Sequence, residues 1–232
     1  MSWPRPRVAV AIAVATSLVV TAVSRLAPDD IANTAVGAVF LGVTWWLVLR
    51  GETERIRAFG LSLGGLTEPE PLEIGRIARD FVKALGWALL FAAIFFPPFW
   101  LGYRWWWQVD QPLQLVLPAE YGSRVMGQLL VIALPEEAFF RGYLQSALDG
   151  AWPKKRRILG AEVGWGLVVS AAIFAVGHVL TIPHPARLAV FFPALLFGWM
   201  RARTGGIGAS VLFHAMCNLL SSLLAGGYGL SG

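Results

Sequence analysis

Leu134-Pro135-Glu136-Glu137-Ala138-Phe139-Phe140-Arg141-Gly142 lies inside the otherwise apolar stretch Arg124–Leu148. Two acids and a guanidinium within a run long enough to cross a bilayer are costly there, and such groups mark functional sites by default. Two further runs have the same character. One contains Phe174-Ala175-Val176-Gly177-His178, the other His214-Ala215-Met216-Cys217-Asn218. The fold turns on whether these runs are membrane helices.

Composition says that they are. Of 232 residues, 56% are hydrophobic and only 14% charged, against about 45–50% apolar and about 25% charged in a soluble domain. That excludes disorder, a coiled coil and an ordinary cytosolic enzyme. Eleven Trp, 14 Phe and 25 Gly suit membrane helices, with aromatics at the interfaces and glycines at close contacts. The single cysteine, Cys217, excludes a disulfide framework and a Cys-based zinc site.

A span needs about 20 mostly apolar residues. Seven stretches qualify: Val8–Val23, Ile31–Leu49, Phe81–Leu101, Arg124–Leu148, Val163–Thr181, Ala186–Met200 and Gly206–Ala225. The expected fold is all-α, a multi-pass bundle of about seven spans with the site in a core of spans four, five and seven. Residues 1–121 read as an N-terminal membrane region of three spans plus interfacial segments, and 122–232 as a catalytic membrane core of four. The first stretch follows Arg5 and Arg7 and precedes no convincing small-residue cleavage site, so it reads as a retained span rather than a signal peptide.

Gly51–Asp80, with Glu68-Pro69-Glu70-Pro71, reads as a loop plus an interfacial segment. Tyr103–Tyr121, with Trp105, Trp106, Trp107, Pro112 and Pro118, reads as an aromatic segment along the headgroups. Lys154, Lys155, Arg156 and Arg157 form a basic loop, read as cytoplasmic rather than as a nucleic-acid patch. With the N-terminus inside, 14 of the 19 basic residues fall on inside segments and four on outside ones (Arg25, Arg104, Arg124 and Arg187), while Arg141 is left within a span. That asymmetry supports a cytoplasmic N-terminus, and spans rich in Ala, Gly and Arg suggest a high-GC bacterial source, so the expected location is a bacterial inner membrane.

Helical spacing sorts the intramembrane groups. Glu137 and Arg141 are four apart, so they share a face and pair, chiefly as a structural clamp. Glu136 is rotated by about 100° and has no such local partner. His214 and Asn218 share a face, and Pro135 removes a backbone donor just before the acids. His184 lies in a Pro-rich loop, and Cys217 points away from Asn218; neither reads as functional. Gly205, Gly206 and Gly208 suit close helix packing better than a phosphate loop, since no Lys follows.

A free carboxylate, two imidazoles and an amide suit hydrolysis, with the carboxylate as general base on water and donors for the oxyanion. No GxSxG elbow, HExxH helix or Cys–His signature is present. In these residues the chain resembles the CPBP (CaaX prenyl protease and bacteriocin-processing, or Abi) family of intramembrane proteases, whose pattern is EExxxR, FxxxH and HxxxN on successive helices. Here it stands as Glu136-Glu137…Arg141, Phe174…His178 and His214…Asn218. Gly198…Thr204-Gly205 also resembles the family's lead-in to the last motif. The resemblance covers roughly Gly122–Ala225 and implies an intramembrane endopeptidase acting on a membrane-associated protein or peptide. It implies that Glu136 with His178 activates water, that His214 with Asn218 forms the oxyanion site, and that Glu137 and Arg141 support them. A glutamate-type mechanism without cofactor is favoured. The alternative is zinc on Glu136, His178 and His214. Membrane lipid and a peptide substrate are the expected partners, with no nucleic acid. Two other classes remain open: a proton-coupled transporter, against which no inverted repeat is visible, and a non-catalytic maturation or immunity factor.

Overall fold

The computed structural model describes residues 3–115, 120–152 and 156–230. Pro118 of the aromatic segment, and Lys154 and Lys155 of the basic loop, lie outside the described residues. The chain is an all-α membrane bundle. Helix α1 is Pro6–Leu26, α2 is Asp29–Leu49, α3 is the short Thr53–Ala58 and α4 is Ile74–Trp106. Helix α5 runs over 121–151, α6 is Trp165–Thr181, α7 is Phe191–Thr204 and α8 is Gly208–Gly227. Four of these, α1, α2, α4 and α8, are long and apolar enough to cross a membrane, and α6 is a shorter apolar helix.

Local chemistry sets the helix ends. Pro6 stands at the start of α1, where its missing N–H costs nothing. Asp29 and Asp30 occupy the first turn of α2, complementing the positive end of its dipole. Gly205 closes α7 at φ 80, a left-handed conformation that glycine adopts without Cβ strain. Gly205 thus serves as a helix cap rather than as a packing contact. Gly208 does pack, since a Cβ there would lie 3.2 Å from that of Ala84.

Lipid tails are as apolar as leucine, so close packing rather than hydrophobic force joins the helices. Helix α1 shows how. It buries Ala9, Ala13, Thr16, Ser17 and Val20, a stripe of mostly small residues at helical spacing, and exposes Val8, Leu18 and Val19. The main core draws on both halves of the chain, joining Ala13, Phe40 and Phe59 to Phe139, Leu144, Phe174 and Val211.

Four expectations need correction. Helix α4 is longer than the span expected at Phe81–Leu101: its 33 residues rise about 50 Å, well beyond a hydrocarbon core of about 30 Å. It therefore takes in Ile74–Asp80, expected as loop, and Tyr103–Trp106, expected as interfacial. The chain beyond it does not simply lie along the headgroups. Trp105, Trp106 and Trp107 are exposed, but Gln111 Nε2 donates to the Tyr228 carbonyl at 2.8 Å and Gln114 N to that of Gly227 at 3.0 Å. The sixth expected span starts as a 3₁₀ turn, Pro185–Val190, capped by His184, and becomes α-helical only at Phe191. Finally, Arg156 and Arg157 belong to a small antiparallel hairpin, Arg156–Ile158 with Ala161–Val163, turning at Leu159 and Gly160 with positive φ.

Candidate active site

Helix α5 carries the acids and is not a regular α-helix. Its bonding loosens to the wider π pattern at Gly127–Ala133 and at Ala138–Gln145, on either side of the α-helical turn Leu134–Glu137. Such stretches leave carbonyls short of intrahelical partners, and neighbouring side chains supply some of the missing donors. Ser170 Oγ donates to the Phe140 carbonyl at 2.8 Å, and Ser146 Oγ to that of Arg141 at 3.1 Å. Helix α2 presses against the first loosened stretch. A Cβ on Gly37 would lie 2.6 Å from the Val131 carbonyl oxygen, so only glycine permits this approach.

Glu137 and Arg141 pair as their spacing predicts, with Nη1 3.0 Å from Oε1 and the two side chains 0% and 1% exposed. Arg141 Nη2 also donates to the Ala194 carbonyl on α7 at 3.3 Å. Its guanidinium lies 4.4 Å from the Phe174 ring centre and 5.2 Å from that of Phe197, a cation–π setting that suits a charge without water. One turn further on, Gln145 Nε2 donates to the Gly198 carbonyl at 2.9 Å. A Cβ on Gly198 would lie 2.7 Å from Gln145 Oε1, so that glycine lets α5 and α7 meet.

Glu137 is more than the expected clamp. Its Oε1 also lies 3.0 Å from Nδ1 of His214 on α8. A carboxylate only accepts, so His214 donates there and turns Nε2 the other way. Nε2 then faces Glu136 Oε2 at 3.8 Å. Glu136, which has no partner on its own helix, thus meets an imidazole from another. Its Oε2 is buried and has no hydrogen-bond partner among the described residues. Phe197 stacks on the His214 ring at 4.8 Å and 16°.

His178 on α6 holds its Nδ1 3.0 Å from the Phe174 carbonyl. A carbonyl only accepts, so Nδ1 carries the proton, and a neutral ring offers its Nε2 lone pair as a base. Phe174 stands between the two imidazoles, 4.3 Å from the His178 ring centre and 6.0 Å from that of His214. Asn218 lies one turn beyond His214, and its Nδ2 donates to Gln128 Oε1 on α5 at 2.9 Å. Gln128 escaped sequence reasoning because one neutral amide near a span end carries no charge signal, and its partner is 90 positions away.

The fold therefore brings Glu136, Glu137, Arg141 and His214 together directly, His178 through Phe174, and Asn218 through Gln128. His184 only caps the 3₁₀ turn after α6, accepting from Ala186 N. Cys217 sits partly buried in an aromatic cluster with Phe91 and Phe213. Among the described residues no group of three or more His, Cys, Asp and Glu side chains is placed to hold a metal ion. Glu136, His178 and His214 do not form such a group.

A carboxylate short of donors beside an imidazole has groups of the kind that a hydrolase uses on water. Residues 118–220 match the model of a family described as type II CAAX prenyl endopeptidase Rce1-like. All six motif residues fall inside that range, and the match supports a membrane protease of the CAAX type. Neither the curated proteins nor the solved structures returned a match.

Proposed function

We propose that the chain is an intramembrane endopeptidase in which Glu136, with His178, activates water against a peptide carbonyl. Glu136 takes the water proton as the hydroxyl oxygen bonds to the carbonyl carbon. His214, doubly protonated between Glu136 and Glu137, keeps Nδ1–H on Glu137 and donates Nε2–H to the oxyanion that forms, and the Asn218 amide donates with it. The proton on Glu136 then passes to the leaving nitrogen as the C–N bond breaks. Glu137 holds His214 in the required orientation, and Arg141 holds Glu137. The reading uses no metal, since Glu136, the two imidazoles and the Asn218 amide account for each proton and donor that it needs. The observation that carries the proposal is the buried Glu136 Oε2 without a hydrogen-bond partner, 3.8 Å from His214 Nε2.

The geometry also bears on where substrate arrives. In a seven-span arrangement with a cytoplasmic N-terminus, His178 near the end of α6 and Asn218 in the second half of α8 lie in the outer half of the membrane. Water and substrate then reach the site from the extracytoplasmic face of a bacterial inner membrane, which suits trimming of exported proteins or their membrane-anchored tails.

The test maps the ends of membrane peptides in cells making the wild-type chain or the Glu136→Ala variant. A fragment present with the wild type and missing with the variant, while its uncut parent accumulates, is the expected result. Identical fragments in both would sink the proposal. Cysteine labelling in a Cys217→Ser background tests the orientation: Ser24→Cys and Thr181→Cys react with an impermeant reagent from outside, and Lys155→Cys does not.

A further inference from the structure

Helix α5 reaches α7 through two side-chain hydrogen bonds on successive turns. Arg141 Nη2 donates to the Ala194 carbonyl at 3.3 Å, and Gln145 Nε2 to the Gly198 carbonyl at 2.9 Å. Between those two carbonyls stands the buried Phe197, whose ring stacks on His214 at 4.8 Å and 16°. Gln145 is itself buried and belongs to none of the three polar motifs. Both groups that face its Nε2, the Gly198 carbonyl and the Asp149 carboxylate at 3.5 Å, are acceptors, which fixes the amide nitrogen on that side. Its Oε1 is then left against Gly198, buried and without a hydrogen-bond partner among the described residues. An apolar side chain of the same length would fill that space with no unmet acceptor. Packing alone therefore does not account for an amide here.

We infer that Gln145 is a positioning residue: by holding Gly198 it sets the Phe197 ring, and that ring aims His214 Nε2 at the reacting carbonyl. The inference rests on the endopeptidase reading above, and Gln145 touches none of the reacting atoms. The bond from Nδ1 to Glu137 fixes one point of the imidazole, about which the ring can still rock. The stacked face of Phe197 fixes its plane, and Phe174 meets it edge-on at 6.0 Å and 83°. Phe197 also lies 5.2 Å from the Arg141 guanidinium and packs edge-on against Phe213 at 5.8 Å. One bond between two helices lets them slide or turn on each other; two bonds a turn apart fix height and rotation together. Arg141 supplies the first bond from within the charge cluster, and Gln145 supplies the second. A donor misplaced by about 1 Å can cost on the order of a hundredfold in rate, so a bond this far from the chemistry bears on turnover.

The test uses NMR of the full chain in detergent micelles, isotope-labelled at histidine Cε1. The sequence holds three histidines, so the signals of His178, His184 and His214 can be followed separately. The ring current of a stacked phenyl displaces the His214 signal, and Phe197→Leu marks the position that it takes without the ring. Gln145→Met keeps the length but cannot donate; it should move the His214 signal toward that mark while His184 stays in place. On a peptide that the wild type cuts, kcat should fall at least about tenfold with KM within about twofold. The thermal midpoint should stay near wild type, because a cavity of about 160 Å³ lined by Gln145, Ser146 and Arg201 has room for water in place of the lost amide. Gly198→Ala, which drives a methyl against the amide, should move the same signal and add little to Gln145→Met in the double variant; it decides the question if Gln145→Met fails to fold. A His214 signal unmoved in the folded variants, turnover lost only in step with the thermal midpoint, or a rise in KM with kcat retained would each overturn the inference. The histidine signal needs no substrate, so a chain that cuts nothing would end the endopeptidase reading and still show whether Gln145 sets the ring.

Discussion

Two regions of the molecule each bury an acid among basic groups, and they do so in opposite ways. Outside the membrane, the Glu68 side chain is 1% exposed. It accepts from Arg57 at 2.8 and 2.7 Å, from Arg76 at 2.6 and 2.8 Å, and from Ser62 at 2.5 Å. Hydrogen bonds from Arg57, then from Arg76, outweigh the penalty of burial and hold this carboxyl well below its usual value. Its two oxygens are saturated, and its work is to tie α3 to the start of α4. Within the membrane, Glu137 shares one oxygen between Arg141 and His214, while its other oxygen and Glu136 Oε2 have no hydrogen-bond partner among the described residues. Burial and charged neighbours alone do not distinguish a structural acid from a reactive one. What differs between the two regions is how many carboxylate lone pairs stay unfilled.

If that contrast is right, Glu136→Gln has the largest effect on turnover. Cleavage of a substrate should fall by at least about a hundredfold, the low end for loss of a general base, with the thermal midpoint unchanged. Near-normal turnover would erase the distinction between the two regions.

Glu137→Gln should cost both stability and activity. It leaves Arg141 buried without its acid, a loss of about 3–5 kcal/mol, read as a lower unfolding midpoint and lower yield in detergent. The double variant Glu137→Leu with Arg141→Met removes both charges together and should recover most of the stability without recovering turnover. Recovery of turnover as well would reduce Glu137 to a clamp.

Gly37→Ala sharpens the comparison from the packing side. A methyl 2.6 Å from the Val131 carbonyl must push α2 off α5, at about 1–3 kcal/mol. Turnover should fall more than stability predicts, because α5 carries both Glu136 and Gln128; a loss of stability alone would detach the α2–α5 contact from the site.

The smallest effect belongs to Glu68→Gln. We expect an unfolding midpoint lower by about 2–4 °C and turnover close to wild type. Its pH dependence has a definite sign. A carboxyl held below its unfolded value contributes stability above that value and loses it as pH falls towards the folded one. The gap between wild type and variant should therefore be widest near neutral pH and narrow in acid; a gap that widens in acid would contradict the hydrogen-bond pattern.

The three polar motifs were legible in the sequence because charge inside an apolar run is exceptional. The Glu137–Arg141 pair followed from a four-residue spacing alone. What stayed hidden depends on contacts distant in sequence or on departures from regular geometry. No periodicity announces that α5 loosens on both sides of the acids, that His214 bridges toward Glu136 and Glu137, or that Gln128 meets Asn218. The full length of α4 was obscured because its polar ends lie beyond the hydrocarbon, where hydropathy no longer reports on helix. The hairpin at 156–163 was masked by its arginines, which read as a charge cluster before they read as strand.

The loosened stretches of α5 have a consequence for how such a molecule changes over generations. A π turn is what a regular helix becomes when one residue is inserted and the surroundings refuse to let the rest rotate. Helix α5 therefore behaves as three segments whose angular phases are set separately, with Arg124 and Gln128 toward one end, Glu136 and Glu137 between, and Gln145 toward the other. A one-residue insertion or deletion near Val131 would turn the segment that carries Arg124 and Gln128 by about 100° while the acids keep their bearing on His214. One end of the helix is thus free to be re-aimed, at the cost of the Gln128–Asn218 bond, while the turn that carries the two acids stays in place, and lineages with the same pair have a one-codon route to differently lined surroundings.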